Sequence, residues 1–260
     1  TASAVLMNDG NVLISGGYGN KQYLKSAEIY YPKENVFRLA GDLNHKRANH
    51  SSFVLKDGNV VILGGISTTK ERYTNDVEMF IPKKNKFLVT DTLPKRFEDE
   101  GVLLDNGYII SQNAIYNPIT KKYKKLSVNY AREGITPIKV NKSVYLINGV
   151  VLKNYSYGKM NSTITPKDGD GFIFTNIVEK YNFNDNNYIV IGKSVIPKTA
   201  SGLITLSNGK ILIVGGRIFK RSGSEDTDGV LEYKAYKHNI LPLYKSDFKK
   251  AYWWWKDCDQ

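Results

Sequence analysis

The chain has 260 residues, 41% of them hydrophobic and 24% charged, and 37 Lys and Arg against 25 Asp and Glu give a formal net charge of +12. That is enough chain for a substantial core, while no apolar run reaches the roughly 18 residues of a membrane-spanning helix. The single cysteine, Cys258, excludes an internal disulfide and a thiolate metal cluster.

In chain order, Thr1 to Leu6 read directly as a strand with no signal peptide ahead of it, as expected of a trimmed or mature end. Asp9-Gly10 then marks a turn, and Gly16-Gly17 ends a second apolar run. The unit is clearest from Arg47 to Phe87. There Ser51 to Leu55, Val60 to Leu63, Val77 to Ile81 and Lys86 to Val89 are four short apolar runs, separated by Asp57-Gly58, by Gly64-Gly65 with a polar loop, and by Pro82 to Asn85. Asp-Gly favours a tight hairpin turn, and a glycine pair supplies backbone freedom or close approach. The reading is a meander of four antiparallel strands.

The unit recurs. Gly10 and Gly17, Gly58 and Gly65, and Gly209 and Gly216 are each seven apart. Degenerate copies place Ala114 seven after Gly107, and Gly149 seven after Lys142. A second interval of seven joins Tyr30 to Phe37, Phe80 to Phe87, Tyr116 to Tyr123, Tyr181 to Tyr188 and, with its second aromatic lost, Tyr236 to Leu243. From the second large residue to the next turn the interval is 19 to 21. All variation in length falls between the glycine pair and the next aromatic, at 13, 15, 2, 32 and 20 residues. In a four-stranded meander the 1–2 and 3–4 turns share one end, and the 2–3 loop shares the other with the crossing to the next unit. Variable loops therefore leave each unit on one side, which in repeat proteins is often the binding side.

Asp9-Gly10-Asn11-Val12-Leu13-Ile14-Ser15-Gly16-Gly17, its counterpart from Asn208 to Gly216, and Ala27-Glu28-Ile29-Tyr30 resemble the kelch repeat. The resemblance runs from Thr1 to about Tyr244 and is to kelch repeats of the bacterial type. It implies an all-β fold, a β-propeller of about five four-stranded antiparallel blades, either whole or part of a larger ring. Blades are expected near 1–43, 46–93, 96–127, 131–193 and 196–246, followed by a Trp-rich tail, 247–260. Trp253, Trp254 and Trp255 cannot all face one side of a strand or helix. They read as packing on a terminal blade or as a partner anchor.

No catalytic constellation stands out. Gly16 to Gly19 lacks the helix and Gly-Lys-Ser/Thr of a phosphate loop. His45, His50 and His238 are not spaced as ligands, and no metal or cofactor is expected. Asp168/Asp170 and Asp226/Asp228 lack the remaining ligands of a calcium loop and read as polar turns.

Strand 1 of each propeller blade lines the channel, which would bring Arg47, Arg96 and Arg132 to its mouth. With His50, Lys198 and Arg217 they form the candidate binding set. Arginine forks suit carboxylates, phosphates or anionic sugars; the other reading has them bridge neighbouring blades through backbone carbonyls. The function expected is a non-enzymatic interaction module whose basic loops meet a protein or an anionic glycan. The alternative is a sugar-active propeller enzyme of the sialic-acid epimerase or mutarotase kind, with Glu98, Glu100 and Glu133 as candidate acids. Nucleic acid fits less well, because basic residues are spread rather than gathered in one stripe. The resemblance to bacterial kelch proteins implies an extracytoplasmic location.

Overall fold

The computed structural model of the chain describes residues 2–67, 73–94, 97, 100–126, 132–152, 172–194, 202–220, 223–226 and 230–233, with backbone alone at 133, 152, 172–174 and from 217 onward. Among the described residues the regular structure is β apart from a single 3-10 turn, Pro82–Lys84. There are two compact units, Thr1–Lys125 and Leu126–Gln260.

The first unit holds three four-stranded antiparallel sheets, each with its strands adjacent in chain order. Blade 1 is Ser3–Leu6, Val12–Ser15, Ser26–Tyr31 and Val36–Asp42; blade 2 is Ser51–Val54, Val60–Leu63, Asp76–Ile81 and Lys86–Thr92; blade 3 is Val102–Leu103, Ile109–Ile110, Ala114–Asn117 and Lys122–Lys125. The second unit holds blade 4, Ile138–Val140, Ser143–Ile147, Ile177–Asn182 and Asn187–Lys193, and three described strands of blade 5, Gly202–Thr205, Ile211–Val214 and Val230–Tyr233. The all-β, four-stranded repeat expected from the spacing is the architecture observed.

Local chemistry sets each turn. Between strands 1 and 2 of blade 1, Met7 N–H donates to the Asn11 carbonyl and Gly10 N–H donates to the Met7 carbonyl. The loop is thus three residues long, Asn8 to Gly10, and only Gly10 has positive φ, +85°. This is a turn closed by a glycine bulge, not the two-residue hairpin that Asp-Gly alone suggests. Asp9 completes it by accepting from Asn11 N–H and Asn11 Nδ2 at 3.0 and 2.9 Å, and Asp57 does the same for Asn59 in blade 2. In blade 4 the left-handed residue is Asn141, φ +53°, rather than Lys142, since Asn tolerates that region.

The 3–4 turns share a feature the spacing did not show. Asn35, Asn85, Lys121 and Asn186 each adopt positive φ one residue before strand 4. In blades 1 and 4 the repeat tyrosine donates to that Asn, Tyr30 to Asn35 Oδ1 at 3.0 Å and Tyr181 to Asn186 Oδ1 at 3.2 Å. Aromatic pairs then stack across strands 3 and 4, with centroids 4.7 Å apart for Phe80 and Phe87 and 5.2 Å for Tyr181 and Tyr188. Phe80 and Phe87 close a core with Met7, Leu13, Ile29, Leu43, Val60 and Ile62 from blades 1 and 2. Val61, Leu63, Val77 and Leu93 of blade 2 pack on Phe97, Ile109 and Tyr116 of blade 3.

Two register expectations are corrected. Ala114 is not the second residue of a glycine pair. Ser111 N–H bonds the Ala114 carbonyl, so residues 111–114 form the whole 2–3 turn, and Ala114 opens strand 3. In blade 5 the residue paired with Ile211 is Tyr233, the counterpart of Tyr30 on Val12 and Phe80 on Val60, so Tyr233 takes the place assigned to Tyr236. Tyr236 and Leu243 lie outside the described residues.

The glycine pairs are close-packing devices. A Cβ on Gly16 would sit 2.4 Å from the Arg47 carbonyl and 2.8 Å from His50 Cε1, and one on Gly65 2.7 Å from the Ala48 carbonyl. The first glycine therefore receives the crossing into the next blade, and the second receives the lead-in to strand 1 of its own. Gly16 also faces Leu43 Cδ1 at 3.4 Å. Blade 4 has Asn148 in that first position, at φ +64°, and the residue six after its second aromatic is Ser194 where blade 1 has Leu43. Ser194 Oγ donates to Asn148 Oδ1 at 2.5 Å. The smaller residue makes room for the larger one and bonds it.

Gly16→Ala is expected to cost about 3 kcal/mol by clash and strain, against about 1 kcal/mol for Gly10→Ala, which meets nothing within 4 Å. Urea unfolding midpoints measure both. Ser194→Leu is expected to destabilise by about 2 kcal/mol alone and to recover most of that when combined with Asn148→Gly. A double-mutant cycle with additive losses would contradict the pairing.

Candidate binding face at the glycine end of the blades

The 2–3 loops and the crossings meet at one end of each blade. In blade 1 the loop forms a small hairpin, Tyr18–Gly19 with Gln22–Tyr23, and Leu24 to Ser26 runs beside the crossing. Arg47 N–H donates to the Leu24 carbonyl, and Gly17 N–H donates to the Arg47 carbonyl. In blade 2 the bridges Ala48 to Ile66 and Ile66 to Tyr73 continue the pattern. In blade 4, Val150–Leu152 pairs with Phe172–Phe174, and Arg132–Glu133 adds a third strand. In blade 5, Arg217–Lys220 pairs with Gly223–Asp226.

Arg47 lies in the crossing into blade 2 and is fully buried. Its Nη1 donates to the Gly64 and Asp76 carbonyls at 3.2 and 3.1 Å, and its Nη2 donates to Glu78 Oε1 at 2.8 Å. Glu78, equally buried, also accepts from His45 N–H at 3.1 Å, from Asn44 N–H at 2.6 Å and from Asn44 Nδ2 at 2.8 Å. One carboxylate on strand 3 thus collects four donors from residues 44–47. Burial pulls the Arg47 guanidinium below its usual range, and the Glu78 and Asp76 charges oppose that shift. Arg132 repeats the motif in blade 4: Nη1 donates to the Asn148 carbonyl at 2.7 Å and the Ile177 carbonyl at 3.0 Å, and Nη2 pairs with Glu179. Both side chains of that pair are buried too.

Neither arginine presents an open fork to an anion. These side-chain bonds tie each crossing to the blade it enters, while the Arg47 backbone bonds Leu24 and Gly17 of blade 1. The missing partner was a glutamate two residues before the repeat aromatic. Glu28, Glu78 and Glu179 all stand there, and pairing that recurrence with the arginines would have found the lock. In blade 3 the same place holds Ala114.

His50 is buried as well. Its Nε2 is 3.0 Å from Ser15 Oγ, and Ser15 is only 1% exposed, so no substrate reaches this Ser–His pair. Burial, reinforced by Arg47, lowers the imidazole from 6.5 to about 3. Of the remaining candidates, Arg96 and Lys198 lie outside the described residues, and Arg217 is described only as the first residue of its strand. Glu98, Asp168, Asp170, Asp228 and the tail 247–260 also lie outside. Glu100 is exposed, and Glu133 is described by its backbone. Among the described residues no three His, Cys, Asp or Glu side chains cluster as a metal site. A cleft of 280 Å³, lined by Asn141, Ser143, Tyr145, Asn208 and Lys210, opens at the other end of blades 4 and 5. It is lined by residues of the two 1–2 turns and of the strand ends beside them.

Four-stranded antiparallel meanders repeated along the chain are the blades of a β-propeller fold. The kelch motif itself matches residues 1–44. Over 243 residues the chain is 24% identical to tRNA wybutosine-synthesizing protein 4 of Saccharomyces cerevisiae (strain ATCC 204508 / S288c), covering 83% of this chain and 33% of that protein. The chain thus spans about a third of the length of that curated relative. The solved structure of YjhT is similar at a TM-score of 0.69 and 14% identity, covering 94% of this chain and 83% of that one. So is a fungal alcohol oxidase of the AA5 family in complex with copper, at 0.67 and 14%, covering 94% and 53%. At such identity these structures speak to the fold alone.

Arg47→Ala or Glu78→Ala should each cost about 3–5 kcal/mol, because each leaves a buried charge unpaired, whereas Arg47→Met with Glu78→Leu should cost less than either. Denaturant titration of the four proteins checks the order. His50 stays neutral in the folded chain while the unfolded chain takes up a proton below pH 6.5. It therefore subtracts stability on acidification from pH 6.5 down towards 3, by up to about 1.4 kcal/mol per pH unit, and nothing above 6.5. His50→Gln is expected to flatten unfolding free energy between pH 6.5 and about 4 relative to the parent.

Proposed function

We propose that the chain is a non-enzymatic recognition module that presents the loops at the glycine end of its blades to a protein or an anionic glycan. The observation that carries this reading is the division of labour among the basic residues. Arg47 and Arg132 are spent on the framework, each on a glutamate and two carbonyls. On this reading the ligand-facing charge is assigned to Arg96, Lys198 and Arg217, which the repeat spacing of the sequence places in the loops and crossings, and whose side chains make charge-assisted hydrogen bonds to carboxylate or sulfate groups. Variable loops on rigid blades allow ligand choice to change without disturbing the core. An extracytoplasmic location suits such a role.

A glycan array that includes sialylated and sulfated sugars tests the reading. Binding to acidic glycans is expected, weakened more than about tenfold by Arg96→Ala, Lys198→Ala and Arg217→Ala together, with the unfolding midpoint unchanged. Arg132→Ala should instead lower the midpoint. Chemical conversion of a bound sialic acid would replace this reading with the sugar-active enzyme, and binding indifferent to the triple substitution would remove these residues from the site.

A further inference from the structure

The 3–4 turns and outer strands of blades 2 and 3 carry seven exposed lysines: Lys83, Lys84 and Lys86, then Lys121, Lys122, Lys124 and Lys125. No Asp or Glu occurs from Met79 to Thr90 or from Asn106 to Arg132. Among the described residues none of the seven lysines has an ion-pair partner. The two edges lie on blades in direct contact, since Tyr116 of blade 3 donates to Asp91 of blade 2 at 2.8 Å and the two blades share a core. The carboxylates at this end, Asp57 and Asp105, sit in the 1–2 turns instead.

Lysines guard many exposed sheet edges against pairing. That role alone does not account for these seven. The outer strand of blade 1 exposes Val36, Phe37 and Leu39, and its one arginine, Arg38, is paired with Glu34 at 2.5 Å. The outer strand of blade 4 exposes Ile189 and Val190. Among the described residues the basic charge of these edges is concentrated on two adjacent blades, 2 and 3.

We infer that this edge is a docking surface for an anionic bilayer, independent of the loop face at the other end. Three observations select a bilayer over a nucleic acid. The patch has lysines and no arginine, hence diffuse point charges rather than planar forks. The aromatic rings among them are engaged with the core rather than free for base stacking: Phe80, Phe87 and Tyr116 are buried, and Tyr123 is half-buried against the blade 2 and 3 core. Aliphatic side chains do stand among them: Ile119, 64% exposed, at the tip of the blade 3 turn, with Leu88 and Val89 on blade 2. A soluble polyanion gives such side chains nothing, whereas a headgroup layer takes both the charge and the apolar tip.

Co-sedimentation tests this with vesicles of phosphatidylcholine and phosphatidylserine in equal parts, and with phosphatidylcholine alone. The chain is expected to partition onto the anionic vesicles only, and less so as salt is raised. Reversing Lys121, Lys122, Lys124 and Lys125 to Glu should weaken partition at least about tenfold. Reversing Lys21, Lys33, Lys142 and Lys193 removes the same charge elsewhere and should have a much smaller effect. Ile119→Ser should weaken binding that persists at high salt. Circular dichroism melts confirm that each variant folds. Equal loss from the two sets of reversals, absence of vesicle binding, or capture of RNA by the same lysines without vesicle binding would overturn the inference.

Discussion

A fully buried arginine paired with a fully buried glutamate is an expensive object. Each charge loses its hydration, and the pair holds only if the remaining donors and acceptors are met. Arg47 and Glu78 come close to that condition by gathering backbone as well as each other: two carbonyls on the arginine, two amides and a side-chain amide on the glutamate, with Arg47 Nε left without a partner. The groups collected belong to the crossing, to the end of strand 2 and to strand 3. The pair therefore fixes where the chain enters blade 2 relative to the sheet it is about to build. Arg132 and Glu179 do the same for blade 4 with the same kinds of partner.

Other features follow from that lock. With the crossing held down, the Arg47 carbonyl presses onto Gly16 and accepts from Gly17, which leaves no space for a side chain on Gly16. His50, three residues along, is carried into the same seam, where it meets Ser15 and is kept neutral by burial and by Arg47. A recurring irregularity accompanies it. Strand 4 bulges opposite Glu28, Glu78 and Glu179 or their neighbours, shifting register in blades 1, 2 and 4. Bulges twist and bend a strand, here always beside the glutamate position.

Much of this was legible in the sequence because turns and strands obey short-range rules. Asp9-Gly10 and its copies, and aromatic residues seven apart, reported strand lengths directly, and four-stranded meanders resulted. The lock was not legible from local rules, because Arg47 and Glu78 are 31 residues apart, and a charged residue beside apolar ones reads as solvated unless its partner is known. Register failed where spacing was counted rather than paired. Ala114 kept the interval of a glycine pair but belongs to the next strand, because a four-residue turn deletes the pair altogether. Tyr236 lost its place to Tyr233 for a similar reason: loop length varies freely, and only the ladder to Ile211 fixes which tyrosine is in step. The lysine edge went unseen as a surface because its members lie in separate repeats and come together only when the blades pack.

The fit of Asn148 to Ser194, where blade 1 has Gly16 and Leu43, bears on how such a chain could arise. Blades look interchangeable in outline, as copies of one ancestral segment would. Yet each seam has since acquired its own shape, and a blade 4 core grafted beside the lead-in of blade 2 would set Asn148 against a leucine. Shuffling or recombination within the array is therefore restricted to pieces that carry both sides of a seam, and drift at one side must be answered at the other, about 46 residues downstream.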